Sequence, residues 1–304
     1  MGRDLRDSRL DHESVQVLGT PRRLVVRVHG LADRQPDLEE DRKGPPVAQA
    51  FKDGVPGPAA IGFAKRCGVD PSQLEVRDTP KGECVFASVR TDGQNSVDLL
   101  QELIPAWING LQGRRFMRWG TGSQRFSRPI RWLLALKGVD LIPVEIPGAD
   151  PPVRSDRFSR GHRLHGDQPL PIDTAEAYDD TLAAAGVIVD RQQRAALIRS
   201  QLDASADQLN GLPDCPESLF EELVDLVESP RLLQGSIAER FLSLPPEVII
   251  TVMQAHQRYV PLKVPEVTPD PLQLEATGVL QRDFLLVGNG LELSLIHISE
   301  PTRR

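Results

Sequence analysis

The stretch VQVLGTPRRLVVRVHGL, from Val15 to Leu31, contains two runs rich in valine and leucine on either side of a Gly-Thr-Pro segment. β-Branched residues are favoured in strands, and glycine and proline between such runs favour a turn. The stretch therefore predicts a β-hairpin. Leu74–Arg90, interrupted by Thr-Pro-Lys-Gly, and Arg131–Ile146, with Gly138 near its turn, predict two more hairpins.

Helical patterns occupy much of the remaining sequence. Apolar residues recur at three- and four-residue spacing in residues 95–111, which predicts an amphipathic helix with a kink or break at Pro105. Capping-box-like sequences that begin at Asp173 and Asp190 predict the starts of two further helices. Strands and helices come in unequal runs rather than in strict β-α-β alternation, so we expect an α+β fold in which antiparallel hairpins pack against helices.

Two segments are strongly charged. DRQPDLEEDRKGPP, residues 33–46, is rich in charge and proline and is expected to connect two elements. Residues 216–229 have their apolar positions on one face of a helix. Most of the other face, which is expected to be solvated, consists of Glu217, Glu221, Glu222, Asp225 and Glu228.

The composition is that of a globular protein, with 39% hydrophobic and 26% charged residues and a net charge of −7. No apolar run reaches the roughly 18 residues of a membrane-spanning helix, and the charged N-terminus lacks the apolar core of a secretory signal. Cys67, Cys84 and Cys215 are widely separated and form no CxxC pair, so we expect reduced thiols. These features predict a cytoplasmic protein with no membrane partner.

The sequence lacks the common signatures of a self-contained catalytic site. It contains no GxxxxGK[ST], GxGxxG or GxSxG motif. His162 and His165 have H-x-x-H spacing, but nearby arginines oppose a cation, and we expect polar loop histidines instead. His256 is expected in the core. We therefore assign neither a catalytic residue nor a metal ligand to this chain.

Positive charge is concentrated in residues 114–163, where ten arginines and one lysine stand against four acidic residues. Guanidinium groups bind phosphates in a fork and stack on bases or aromatic rings. The cluster therefore favours contact with RNA. Alternatively, these arginines pair with acidic residues elsewhere and hold the hairpin against neighbouring helices. The candidate RNA-binding residues are Arg114, Arg115, Arg118, Arg125, Arg128, Arg160 and Arg163.

RFSR occurs twice, at Arg125 and at Arg157, but no period of 20–50 residues relates the two copies. They belong to a longer series of strings that are ordered and spaced as in one protein family: TPRRLVVRVHGLADRQPD (20–37), RKGPPVAQAF (42–51), FMRWG (116–120), RFSRPIRWLLAL (125–136), RFSRGHRLHG (157–166), ESLFEELVDLVESP (217–230) and FLSLPPEVIITVMQAHQRYVPL (241–262). Through these strings the chain resembles the β subunit of bacterial heterotetrameric glycyl-tRNA synthetase.

The resemblance implies a role in attaching glycine to tRNA(Gly) with ATP. In this family the α subunit carries the active site, so ATP and magnesium would be used by the assembled enzyme and no cofactor would lie on this chain. The chain would contribute tRNA binding and subunit assembly, and it would be inactive alone. Its fold would resemble the B3/B4-type modules of the phenylalanyl-tRNA synthetase β subunit. The alternative is a free-standing RNA-binding or assembly module with no synthetase partner.

The same resemblance suggests three regions. Residues 1–165 are expected to form an N-terminal α+β region with the arginine-rich hairpin, and residues 166–290 a mainly helical region that closes with strands. The family's usual opening segment is not found, so the start is expected to be truncated. The segment 291–304 includes LSLIHISEPTRR, which resembles translated sequencing-adapter sequence and is expected to be non-native. The HD-like and anticodon-binding domains of the family would then be missing.

Overall fold

The computed structural model describes residues 1–52, 54–80, 82–166, 168–265 and 280–290. The terminal segment 291–304, expected to be non-native, lies outside these described residues. Contacts within the chain divide it into two compact units. The first unit comprises Met1–Val15 and Val28–Leu111, and the second comprises Gln16–Arg27 and the residues from Gln112 onward.

The opening stretch forms the predicted hairpin. Its strands, β1 (Ser14–Thr20) and β2 (Arg23–His29), make a two-stranded sheet, and Pro21 and Arg22 form the turn between them. The turn end of the hairpin belongs to the second unit, whereas its open end belongs to the first.

The first unit is built on a three-stranded antiparallel sheet in which β7 (Cys84–Thr91) lies between β3 (Leu38–Pro46) and β6 (Glu75–Arg77). Helix α3 (Pro58–Cys67) packs on this sheet and buries Phe63 and Cys67 with Val85 and Ala87 of β7. The elements are α1 (Gly2–Asp7), β3 (Leu38–Pro46), α2 (Val47–Ala50), β4 (Phe51–Lys52), β5 (Val55–Pro56), α3 (Pro58–Cys67), β6 (Glu75–Arg77), β7 (Cys84–Thr91) and α4 (Ser96–Gly110).

Strand β3 corrects the expectation that residues 33–46 are only a connection. The strand pairs along β7, and its side chains form ion pairs with neighbouring strands, Asp41 with Arg77 and the preceding Asp37 with Arg90. An edge strand with exposed charges resembles a loop in sequence, because its stability comes from pairing with residues about fifty positions away.

Helix α4 confirms the predicted amphipathic helix and continues through Pro105 without a break. The Asn95 side chain caps its first turn by accepting from the Val97 amide at 2.9 Å. Near its other end, the Trp107 indole donates to Asp4 of α1 at 2.8 Å. The hydrogen bonds of Asp4 with the N-terminal amino group and with Trp107 lower the pKa of its carboxyl.

The second unit contains a four-stranded sheet of order β16 (Leu212–Pro213), β18 (Tyr259–Lys263), β19 (Leu280–Asn289) and β17 (Pro230–Ser236). Helices α6 (Arg191–Gln208) and α7 (Glu217–Leu226) pack on this sheet. Its elements are β8 (Met117–Arg118), β9 (Arg125–Phe126), β10 (Leu133–Leu134), β11 (Leu136–Lys137), β12 (Asp140–Leu141), β13 (Ser155–Asp156), β14 (Phe158–Arg160), β15 (Pro169–Pro171), α5 (Tyr178–Ala184), α6 (Arg191–Gln208), β16 (Leu212–Pro213), α7 (Glu217–Leu226), β17 (Pro230–Ser236), α8 (Pro246–Val252), β18 (Tyr259–Lys263) and β19 (Leu280–Asn289).

The helix starts in this unit were predicted with mixed success. Asp190 caps α6 by accepting from the amides of Gln192 and Gln193 at 2.7 and 3.1 Å. The start predicted at Asp173 is wrong, because the hydroxyl of Thr174 accepts from the Ala177 amide at 3.2 Å and holds a turn before α5.

The antiparallel hairpins and sheets, together with the helices packed on them, confirm the α+β class. The expected boundary between residues 165 and 166 does not coincide with the division into two units. Strand β14 pairs with β15 across that position, so the residues on either side belong to one sheet. Among the described residues, no helix has the length and apolar character needed to cross a membrane.

Candidate nucleic-acid interface

A small hairpin carries the first group of candidate arginines. In it β8 pairs antiparallel with β9, so that Arg118 lies opposite Arg125. Aromatic side chains hold this hairpin together: the rings of Phe116 and Phe126 lie 5.0 Å apart, and the Trp119 indole donates to the Phe126 carbonyl at 2.9 Å. These rings are half-buried in the hairpin itself, and therefore the arginines rather than the aromatics face solvent.

The loop between the two strands is tied to residues 148–150. The Gly148 carbonyl accepts from the amides of Ser123 and Gln124 at 2.8 and 3.0 Å. Asp150 accepts from both the amide and the hydroxyl of Thr121. The loop between β8 and β9 is therefore a hairpin loop that is fixed by its contacts with residues 148–150.

The arginines of this hairpin and of the segment after it point into solvent. Within the described part of the chain none of them forms an ion pair, and Arg125 makes one long hydrogen bond, 3.4 Å from the Phe116 carbonyl. The expectation that they pair with acidic residues is not met by any described contact. These exposed residues are Arg114, Arg115, Arg118, Arg125 and Arg128, to which the structure adds Arg131.

The second RFSR copy has a different role. Arg157 donates to the carbonyls of Val139 and Asp173, and Arg160 is half-buried with its own carbonyl accepting from Arg23 at 3.0 Å. Only Arg163, in a short 3₁₀ turn, is exposed. The two copies therefore share letters but not surroundings, and Arg160 is a weaker candidate for RNA contact than the arginines of the first copy.

A buried ion pair joins the opening hairpin to the end of α7. The sequence pattern did not indicate this pair. Glu228 is fully buried and Arg23 nearly so. The Glu228 carboxylate accepts from the Arg23 Nε at 3.2 Å and from the Thr20 hydroxyl at 2.5 Å. The expectation of a solvated Glu228 was wrong, because α7 ends at Leu226 and the chain then turns inward into β17.

Asn289, at the end of β19, lies beside this ion pair. Together with Thr20, Arg23, His162 and Glu228 it forms a buried polar core. Its side-chain carbonyl lies 3.0 Å from each of the amides of Glu228 and Ser229 and 3.0 Å from the His162 Nε2. His162 lies in a loop before a short 3₁₀ turn, as predicted, but it is buried rather than exposed, and the side chain of His165 lies outside the described residues. The exposed position of His256 likewise corrects its prediction as a core residue.

Arg194 is the largest fully buried side chain. Its guanidinium donates to the carbonyls of Val224, Ile188, Val189 and Gly19 at 2.8–3.2 Å, and burial lowers its pKa. The sequence held a signal for this role, since Arg194 precedes Ile198, Leu202 and Ala206 at four-residue spacing on the buried face of α6. This arginine is structural and takes no part in the exposed set.

No group of histidine, cysteine, aspartate or glutamate suited to a metal ion occurs among the described residues. The three cysteines are free thiols, as predicted. Burial raises the pKa of the half-buried Cys215 thiol to about 11, so this cysteine is a poor nucleophile at neutral pH. The exposed arginines are therefore the chemical feature that distinguishes this surface.

Comparison with known proteins gives these residues a context. The family model described as "Glycyl-tRNA synthetase beta subunit" matches residues 1–300. The chain belongs to this family. The match includes residues 1–19, which precede the strings that carried the resemblance.

Curated relatives of this family member are similar to it over most of its length. The glycine–tRNA ligase beta subunits of Synechocystis sp. and Acaryochloris marina are 44% and 45% identical to it, over 92% and 86% of the chain. The corresponding protein of Moorella thermoacetica is 39% identical over 99% of the chain. The aligned parts amount to 39%, 37% and 41% of these relatives, so the chain spans about two fifths of their length.

Within this family member, three of the strings that carried the resemblance meet at the buried polar core. Thr20 and Arg23 come from the first string, His162 from the fifth and Glu228 from the sixth. Two further strings, FMRWG and RFSRPIRWLLAL, supply the exposed hairpin. Three of the seven strings therefore contribute to a buried polar core, and two others to an exposed hairpin.

Proposed function

We propose that this chain is a tRNA-binding part of the β subunit of glycine–tRNA ligase. It would act with an α subunit in a heterotetramer that attaches glycine to tRNA(Gly). The family membership and the names of the curated relatives support the ligase assignment. The family resemblance supports assigning the active site, with ATP and magnesium, to the α subunit, and it supports the kinship of the fold to B3/B4-type modules. The cytoplasmic location rests on the widely separated cysteines and on the charged N-terminus without an apolar signal core.

The observation that carries tRNA binding is the contrast between two classes of arginine. Arg23, Arg157 and Arg194 are held by a carboxylate or by backbone carbonyls. The arginines at 114–131 are exposed and form no ion pair with any described residue. Holding many like charges together without counterions raises their mutual repulsion, and a polyanion placed against them removes it.

The expected contacts are with phosphates rather than with base edges. The exposed arginines follow one another irregularly along a hairpin and its continuation, which suits a backbone with a charge on every nucleotide. The hairpin aromatics are occupied in packing, so stacking on bases contributes less. Selection of tRNA(Gly) would then depend on the rest of the assembled enzyme.

Two measurements test this proposal. A tRNA(Gly) transcript is titrated into the purified chain at several salt concentrations, and we expect binding that weakens steeply with salt. The tagged chain is also co-expressed with a glycine–tRNA ligase α subunit, and we expect the two to co-purify. Binding of RNA without recovery of the α subunit would favour the free-standing module, whereas failure to bind tRNA at low salt would contradict the proposal.

A further inference from the structure

A groove in the first unit is lined by basic side chains. It lies between strand β3 and helix α3 and has a volume of about 690 Å³. Arg42 of β3 and Arg66 of α3 line its two sides, with Gly44 and Phe63 between them. None of the lining residues is acidic.

The strand register places Arg42 on the face of the sheet that carries the helix. Arg42 pairs directly with Ala87, and residues directly opposite each other project from the same face of a sheet. Ala87 is buried in the cluster that includes Phe63 of α3, so Arg42 projects toward this helix. Lys43 is also among the residues that line the groove, but its ammonium group is engaged in a hydrogen bond to the Thr79 hydroxyl at 3.3 Å.

At the floor of the groove, the backbone of β3 at Gly44 lies directly against the ring of Phe63. A Cβ atom at Gly44 would lie 2.6 Å from the nearest carbon of the Phe63 ring, so only glycine allows the strand to lie on that ring. The pairing of β3 with β7 shifts between Lys43 and Pro46, next to this contact. The segment RKGPP thus sets the position of Arg42 relative to Arg66.

Both arginines are available for a ligand. Each is exposed, and within the described chain neither forms an ion pair. Arg66 lies in the last turn of α3, where a cation favours the helix dipole, but Lys65 beside it supplies the same benefit without lining the groove. Lys65 alone is enough to stabilise the helix end. That role therefore does not explain why Arg66 lies across the groove from Arg42.

We propose that Arg42 and Arg66 bind phosphate groups of an RNA strand, and that this groove is a second RNA contact of the chain. The inference rests on the proposed function and extends it to the first unit. Two exposed guanidinium groups give little affinity to one small anion, which also loses its hydration. They favour a polyanion, because each phosphate that they neutralise releases condensed counterions.

The test is a salt titration of the full chain with a tRNA(Gly) transcript. The groove variant carries Arg42→Gln and Arg66→Gln, and the matched control carries Lys52→Gln and Lys65→Gln. The control removes the same charge from exposed residues of the same unit that do not line the groove. If each arginine contacts one phosphate, the groove variant lowers the log–log salt slope by about 1.4–1.8, since each contact contributes roughly 0.7–0.9.

The outcomes separate this inference from the proposed function. A reduced salt slope in the groove variant, with an unchanged slope in the control, supports the groove as an RNA contact. A hairpin variant with Arg125→Ala and Arg128→Ala is titrated beside them, and its result does not alter this conclusion. Equal slopes in wild type, groove variant and control overturn it, even if the hairpin variant binds more weakly. Failure of the wild-type chain to bind RNA overturns both proposals.

Two further arms cover a small ligand and a folding defect. Inorganic pyrophosphate is titrated in place of RNA, and a loss of pyrophosphate binding in the groove variant with unchanged RNA binding would overturn the assignment to RNA. Thermal melting checks the fold of each variant. If the double variant melts early, Arg66→Gln alone is used, with an expected slope change of about 0.7–0.9 and with Lys65→Gln as its control.

Discussion

Replacement of Glu228 by glutamine should destabilise the second unit far more than the acidic sequence around it suggests. The carboxylate is fully buried and accepts hydrogen bonds from Thr20 and Arg23. Glutamine has nearly the same size and keeps an acceptor oxygen, so the change removes charge with little loss of packing. Arg23 then remains buried without its counterion.

The expected cost follows from that unpaired charge. Removing one partner of a buried ion pair costs about 3–5 kcal/mol, because the remaining charge keeps its desolvation penalty. The shortest bond of the carboxylate, from the Thr20 hydroxyl at 2.5 Å, also weakens when the acceptor becomes neutral. We therefore expect Glu228→Gln to lower the free energy of unfolding by about 3–5 kcal/mol.

Urea denaturation followed by circular dichroism measures this change, with Glu221→Gln as the matched control. Glu221 lies on α7, two turns before Glu228, but its carboxylate is half exposed and pairs with Arg191 at the surface. Exposed pairs contribute roughly 0–1 kcal/mol, so the control should stay within that range. Equal and small losses for the two variants would refute the buried pair as the element that holds the opening hairpin to the end of α7.

Three further outcomes are expected. Glycine-dependent ATP–pyrophosphate exchange should be absent with the chain alone, and robust exchange that mutations in this chain abolish would contradict its role as a subunit. Arg194→Met should lower the unfolding free energy by about 3–5 kcal/mol, because four carbonyls lose their donor, and a change under about 1 kcal/mol in a urea titration would disprove that role. In a protein with Cys67→Ser and Cys84→Ser, iodoacetamide should alkylate Cys215 at pH 8 about 100-fold more slowly than a thiol of unperturbed pKa 9.0, because its pKa is raised to about 11; equal rates would contradict its burial.

Local signals predicted those elements whose stability is local. The hairpin at 14–29 has strand formers around a Gly-Thr-Pro segment, and α6 begins at a capping aspartate. Helix α4 was found from its apolar spacing alone. In each case the residues that decide the structure lie within one turn or one hairpin of each other.

Long-range contacts explain what the sequence did not reveal. Strand β3 forms because β7 pairs with it, and no feature of the sequence of residues 33–46 indicates that partner. Glu228 continues the acidic spacing of α7, yet it is buried because Arg23, more than two hundred residues earlier, neutralises it. Charge density located the exposed hairpin correctly, but it could not separate the exposed Arg125 from Arg160, which is half-buried beside Arg23.

We propose above that the arginines at 114–131 face RNA and do not hold the fold together. A variant with Arg125→Ala and Arg128→Ala tests it when RNA titration and thermal melting are done on the same protein, beside a control with Arg154→Ala and Arg199→Ala, whose arginines already pair with Glu145 and Glu217. We expect weaker tRNA binding, a salt slope lower by about 0.7–0.9 for each lost phosphate contact, and a stability within about 0.5 kcal/mol of wild type. A lowered melting temperature with unchanged salt-dependent binding would contradict it.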